Sequence, residues 1–230
     1  MMRRAIQFVL LLLTAVGASA QVVDRMVAVV NRRVVLQSEL EQEVRLEFLM
    51  RGAPLSRRTP QDTLAALDRL IDRSLLDQQI LSTALVDPTA EELAEQVKNL
   101  RTQFPSAATE ADWKALVESY GLTQQDIEDH LTSQVRILRF IDLRFRGLVR
   151  VDKVAVTVYY QEKLLPELRK QGRTEQPLAA VYGEIERLLI DQSINDMLNS
   201  WLQTLRSQAR IEKMVAAVSA AAGVAAGANQ

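Results

Sequence analysis

His130 is the one histidine in 230 residues, and Asp126 one turn before it makes the only place where an acid–base pair working near neutral pH could be assembled. A lone histidine beside a helical aspartate fits a surface contact better, so the expectation is a His130–Asp126 pair without chemistry. Glu91, Glu92 and Glu95, and again Asp126, Glu128 and Asp129, are carboxylate groups of metal-ligating type. Each group falls in a first helical turn, where the helix dipole favours anions, so no metal is expected. Ser82 and Ser119 lie in no G-x-S-x-G turn and have no spare histidine, which excludes a hydrolase triad. There is no G-x-x-x-x-G-K-[ST] loop for ATP, and the absence of cysteine removes disulfides, thiol nucleophiles and iron–sulfur ligation. With 28 Lys+Arg against 29 Asp+Glu, nothing draws the chain toward nucleic acid or an anionic membrane. Catalysis and cofactor binding are therefore not expected; the chemistry left is that of apolar surface, in a chain that is 48% hydrophobic.

Residues 1–20 read as a cleavable export signal. Arg3 and Arg4 precede an apolar run, and Ala18-Ser19-Ala20 has the small-x-small form of a cleavage site. The run of about 12 apolar residues is short of the roughly 20 that span a bilayer. Cleavage before Gln21 takes the formal charge from −1 to −3 and implies an extracytoplasmic product without stable membrane insertion. Residues 214–230 hold eight alanines, two glycines and no charge, a composition expected of a mobile tail.

Between these segments the chain reads as mainly α. Met-Val-Ala-Val-Val at 26–30 and Val-Val-Leu at 34–36, separated by Asn31, suggest a small hairpin. Ser38, with Glu41 three residues on, reads as a capping box opening a helix that faces inward with Leu40, Val44 and Phe48. Thr59-Pro60 opens a second helix whose apolar residues recur from Leu64 to Leu85. Asp87-Pro88 opens a third, Thr109 with Asp112 a fourth, and Thr123 with Asp126 a fifth, whose stripe runs from Ile127 through Leu131, Leu138 and Phe145 to Leu148. Gly121 suits the left-handed position closing the fourth. The valines of 151–158 alternate as a strand would, but Asp152 caps a helix equally well, and helix is the preferred reading. Residues 166–177 are turn-prone and read as a connector, followed by a long helix from Leu178 and a short strand near Ile211.

The opening Val22-Val23-Asp24 to Val29-Val30-Asn31, then Val34-Val35-Leu36-Gln37-Ser38-Glu39-Leu40, resembles the start of SurA-type periplasmic chaperones. Leu67 to Gln78, Tyr120-Gly121-Leu122-Thr123, Tyr159-Tyr160 and the segment from Asp191 to Lys213 fall in the order of further landmarks of that family. The resemblance implies a multi-helix module over residues 21–165, completed by a helix and strand at 178–213 that return to the N-terminal hairpin. It implies ATP-independent holding of unfolded polypeptides in the periplasm, with outer-membrane proteins in transit as clients.

In full-length members of that family, parvulin-type prolyl isomerase domains lie between the Tyr-Tyr helix and the C-terminal helix. Here the 166–177 connector stands in that place, against the roughly 100 residues a domain needs. No isomerase activity is expected, and an isomerase remains the weaker alternative beside an interaction protein for one folded envelope partner. For a chaperone, the residues that could line a client groove are Met50, Phe104, Trp113, Tyr120, Phe140 and Phe145, with Trp201 and Met197 beside them. Taken singly, each fits ordinary core packing better.

Overall fold

A computed structural model describes residues 24–214 together with Val218 and Ala221, so the proposed signal segment and most of the proposed tail lie outside the described residues. Strands β1 (Met26–Val30) and β2 (Arg33–Leu36) form the expected antiparallel hairpin, with a bulge between Met26 and Ala28. Asn31 turns it at φ +58°, a value that asparagine tolerates better than most residues. Its side chain donates to Gln78 Oε1 (2.7 Å) and accepts from the Arg210 N–H (3.0 Å), so one turn residue ties the hairpin to two distant segments.

Helix α1 (Gln37–Met50) begins two residues earlier than Ser38 would allow as a cap. Glu39 accepts from the Leu36 N–H (2.9 Å), while Ser38 donates its own N–H and hydroxyl to Asp24, fourteen residues back. These bonds hold the Asp24 carboxyl below its ordinary range, that from the Ser38 side chain most of all. The Ser38–Glu41 capping box is thus replaced by one whose acceptors are Asp24 and Glu39.

Helix α2 (Pro60–Ile80) starts at the Thr59–Asp62 box as expected, but stops at Ile80 and leaves Leu81 79% exposed. Helix α3 (Ala90–Arg101) is capped by Thr89 with Glu92, two residues beyond Asp87. Thr109 caps α4 (Glu110–Ser119), and Thr123 with Asp126 caps α5 (Gln124–Phe145). Gly121 closes α4 at φ +66°, where an added Cβ would stand 2.9 Å from Arg45 Nη1. That guanidinium donates to the Gly121 carbonyl, linking the turn to α1. Gly121→Ala should therefore cost about 1–2 kcal/mol and lower the melting temperature by a few degrees in a calorimetric scan.

Asp152 caps α6 (Lys153–Tyr159) through the Ala155 N–H, so the valine-rich segment is helical as preferred. The helix then passes through a π turn (Tyr160–Leu164) into α7 (Leu165–Lys170). The connector begins later than expected, because the wider turn accommodates Pro166, which has no N–H to give to the preceding turn. Helix α8 (Leu178–Gln208) leads into β3 (Ile211–Lys213).

Strand β3 pairs antiparallel with β1, Val29 opposite Glu212, giving the order β2-β1-β3. The first and last described strands thus share one sheet, as the expected closure requires. The first core joins this sheet to α1 and α2 through Val27, Val30, Leu40, Val44, Leu67 and Ile71, all essentially without exposure. Val218 and Ala221 are helical and buried in the same core, a firmer seat at those two positions than a mobile tail implies. A second core gathers α3, α4 and the start of α5 around Trp113 against the Leu46–Leu49 side of α1. Two smaller ones, about Phe145 with Ile194 and about Val156 with Val181, hold α8 to α5 and α6.

Candidate functional site

The nominated aromatic residues do not meet in one groove. Trp113 is buried in the second core with Phe104 tilted against it at 5.9 Å between centroids, Met50 and Tyr120 packing at the edge. The Tyr120 hydroxyl is used, donating to the Ala53 carbonyl (3.1 Å). Phe140 and Phe145 are buried where α5 meets α8, each 5.7 Å from the Trp201 ring, and Met197 packs beside them. Trp113, Phe140 and Phe145 therefore present almost no surface in this conformation: they hold helices together, as aromatic bulk does when it finds a concave apolar partner.

Exposed large apolar side chains occur at several places, among them Leu81, Val86 and Val154, and two of them line a groove where α5 meets α8. A groove of about 810 Å³ runs between these helices, with Leu85, Leu138, Ile141, Leu143 and Ile194 among its lining. Leu138 and Leu143 are 65% and 69% exposed, so these large side chains stand in water beside a concave floor. The sequence carried a usable signal. From Ile137 to Leu143 apolar residues occur on more faces of α5 than one neighbouring helix can cover. The single stripe expected through Leu138, Phe145 and Leu148 leaves out Ile137, Phe140 and Leu143, and two of its own members, Leu138 and Leu148, emerge on the surface.

Charge frames this groove. Arg139 donates to the Val86 carbonyl (2.8 Å) and to Glu92 (2.6 Å), while Arg136 pairs with Asp87 (3.0 Å). These contacts pin the segment between α2 and α3 onto α5 and place Leu85 at the groove wall. The Thr89 N–H, and then Arg139, hold Glu92 below its ordinary carboxylate range. Also lining the groove, Arg146 just past α5 pairs with Asp142 and lies 4.0 Å from Asp191 on α8. The rim thus carries both signs, and the floor is apolar.

A second, smaller cavity of about 240 Å³ lies between β2, α1, α2 and α5 and is strongly polar. Glu43, 4% exposed, is held there by a bidentate Arg73 (2.8 and 3.3 Å). His130 lines this cavity without the expected Asp126 partner. Asp126 is taken up by Thr123 and by the Gln42 side-chain amide (2.6 Å), and His130 Nε2 instead faces the Gln134 amide nitrogen (2.9 Å). Among the described residues, no three His, Asp or Glu side chains are grouped to hold a metal ion. Nor is any helix among them long and apolar enough to cross a membrane.

No family model matches the chain. Over 143 residues, 59% of the chain, it is 29% identical to the chaperone SurA of Cupriavidus pinatubonensis strain JMP 134. That match covers 27% of the chaperone, so the chain spans about a quarter of the length of the curated relative it matches. The chain is thus distantly and partially similar to a SurA chaperone.

Proposed function

We propose that this protein is an ATP-independent holder of unfolded polypeptides in the periplasm, with outer-membrane proteins in transit as clients and without isomerase activity. The observation that carries the reading is the exposed apolar groove between α5 and α8, in a chain partially similar to a chaperone. A floor of leucine and isoleucine selects for apolarity rather than sequence, and a rim of both charge signs tolerates many flanking residues. Covering about 400 Å² of client surface at roughly 25 cal/mol/Å² gives about 10 kcal/mol gross. After association and ordering costs, this leaves binding on the order of micromolar, weak enough for release without ATP.

The mature chain is expected to suppress aggregation of an unfolded outer-membrane β-barrel protein at near-stoichiometric ratio, read by light scattering. The double substitution Leu138→Asp and Leu143→Asp should weaken client binding by about tenfold or more, a loss of about 1.4 kcal/mol. Because both side chains are exposed, the melting temperature should stay within a degree or two. Equal aggregation with and without the protein, or one stoichiometric folded partner and no unfolded client, would remove the holding function.

A further inference from the structure

The polar cavity beneath α5 holds an imidazole whose burial and whose neighbour Arg73 both favour its neutral form, against Glu43. His130 Nε2 faces the Gln134 side-chain nitrogen, which can only donate, so Nε2 accepts and the ring proton sits on Nδ1. Nδ1 is buried without a partner among the described residues. A second proton would have to go on Nε2, directly against the Gln134 N–H. The bond survives only if that amide turns over.

The groups facing the ring are already committed. From α1, Glu43 is bound by Arg73, and Glu39 by Arg33 of β2 (3.2 Å) and the Leu36 N–H. On α5 itself, Asp126 is held by Thr123 and Gln42, and Asp129 by Gln125 (2.8 Å). From α2, Arg73 brings a positive charge close to the imidazole, and Asp77 lines the same cavity. Burial pushes Asp77 up from its ordinary carboxylate value, so acidification weakens this remaining counter-charge as well.

We propose that this cavity is an acid-sensitive latch: on acidification His130 takes up a second proton, and α5 loosens from α1 and α2, parting the second core where it meets Leu46 and Leu49 of α1. The consequence is access to residues that are closed off in the neutral form. Trp113, Phe104 and Met50 all belong to the core that α5 covers. Acid would thus bare a second apolar surface, distinct from the permanently exposed groove. The inference goes beyond the holding function and does not depend on it.

Burial, and next the charge of Arg73, hold His130 below its ordinary value of 6.5, Glu43 opposing. The unfolded chain therefore binds the proton first. The stabilisation is complete above about pH 6.5 and is lost as pH falls from there toward the folded-state value. The raised Asp77 contributes with the opposite sign, in the carboxylate range at lower pH.

Two measurements on the full chain, free of any histidine tag, test the latch. Since the chain has a single histidine, its imidazole proton resonances report the titration without ambiguity. A midpoint below 6.5 is expected, and one at or above 6.5 overturns the proposal. Hydrogen exchange at pH 7.5 and 5.5, corrected for intrinsic rates, should show several-fold more opening in α4 and α5 at the lower pH, with about tenfold the ceiling for one group of ordinary value 6.5. In the His130→Gln variant that difference should shrink below twofold. No acid response in the wild type, or an equal response in the variant, overturns the proposal. If the variant does not fold, the two wild-type measurements still decide.

Discussion

A chain lacking residues 194–213 is expected to lose its cooperative melting transition throughout, including in the hairpin, α1 and α2 more than a hundred residues away. The deletion removes β3, leaving Val29 and Asn31 of the central strand and its turn with backbone groups unpaired along that edge. It also removes Arg206, which binds Asp72 (2.6 Å) and the Asp68 carbonyl (3.0 Å) on α2, and Lys213, which pairs with Asp68 (2.7 Å). Trp201 goes too, and with it the ring that Phe140 and Phe145 both pack against. Loss of one such buried aromatic costs about 3–5 kcal/mol, against a total stability on the order of 5–15 kcal/mol. Adding the unpaired strand brings the loss close to the whole. Circular dichroism melts should therefore broaden or disappear, with exchange protection lost from β1 and α2. An unchanged transition would mean that the N-terminal elements form a unit without the C-terminal helix and strand.

The second large effect is expected from Glu43. Replacing it by leucine removes the partner of Arg73 and one of the two acidic neighbours of Arg69 inside the packed α1–α2 contact. Breaking one side of a buried pair leaves an uncompensated charge, which typically costs 3–5 kcal/mol. Arg73 and Arg69 retain 25% and 39% exposure, so part of that cost is screened, and about 2–4 kcal/mol is expected. The double substitution Glu43→Leu with Arg73→Leu should cost at least about 1 kcal/mol less than the sum of the two single ones, because no lone charge remains from the pair. Urea midpoints of the three variants measure this; strict additivity would show that the pair is not coupled.

These effects bear on how much could be read in advance. The boxes at Thr59 and Thr123 and the cap at Thr109 are legible because their bonds span three residues and need no tertiary information. Ser38 has the same local appearance, yet Asp24 claims its hydroxyl, a competition visible only once the hairpin has folded back. Asp87 likewise resembles a cap, but Arg136 takes its carboxylate and Thr89 caps the helix instead. Tertiary partners override a local preference worth about 1 kcal/mol.

The same limit applies to the site. Aromatic type identifies Trp113, Phe140 and Phe145 as residues of large apolar area, but not whether that area is spent inside. Each turns out to be covered, whereas the exposed apolar area of the α5–α8 groove comes from Leu138 and Leu143. His130 behaves similarly: its nearest acidic neighbour in sequence is bound by other groups, and its setting is made by Arg73 and Glu43 from two other helices.

What the sequence determined alone is the succession of elements and the mainly helical class, because caps, periodicity and residue type act over a few neighbouring positions. What the tertiary structure decided is which apolar faces stay wet, which acid holds which base, and that α5 leaves a groove beside α8. Those outcomes depend on contacts between residues tens to hundreds of positions apart, where burial and pairing are worth more than any local preference.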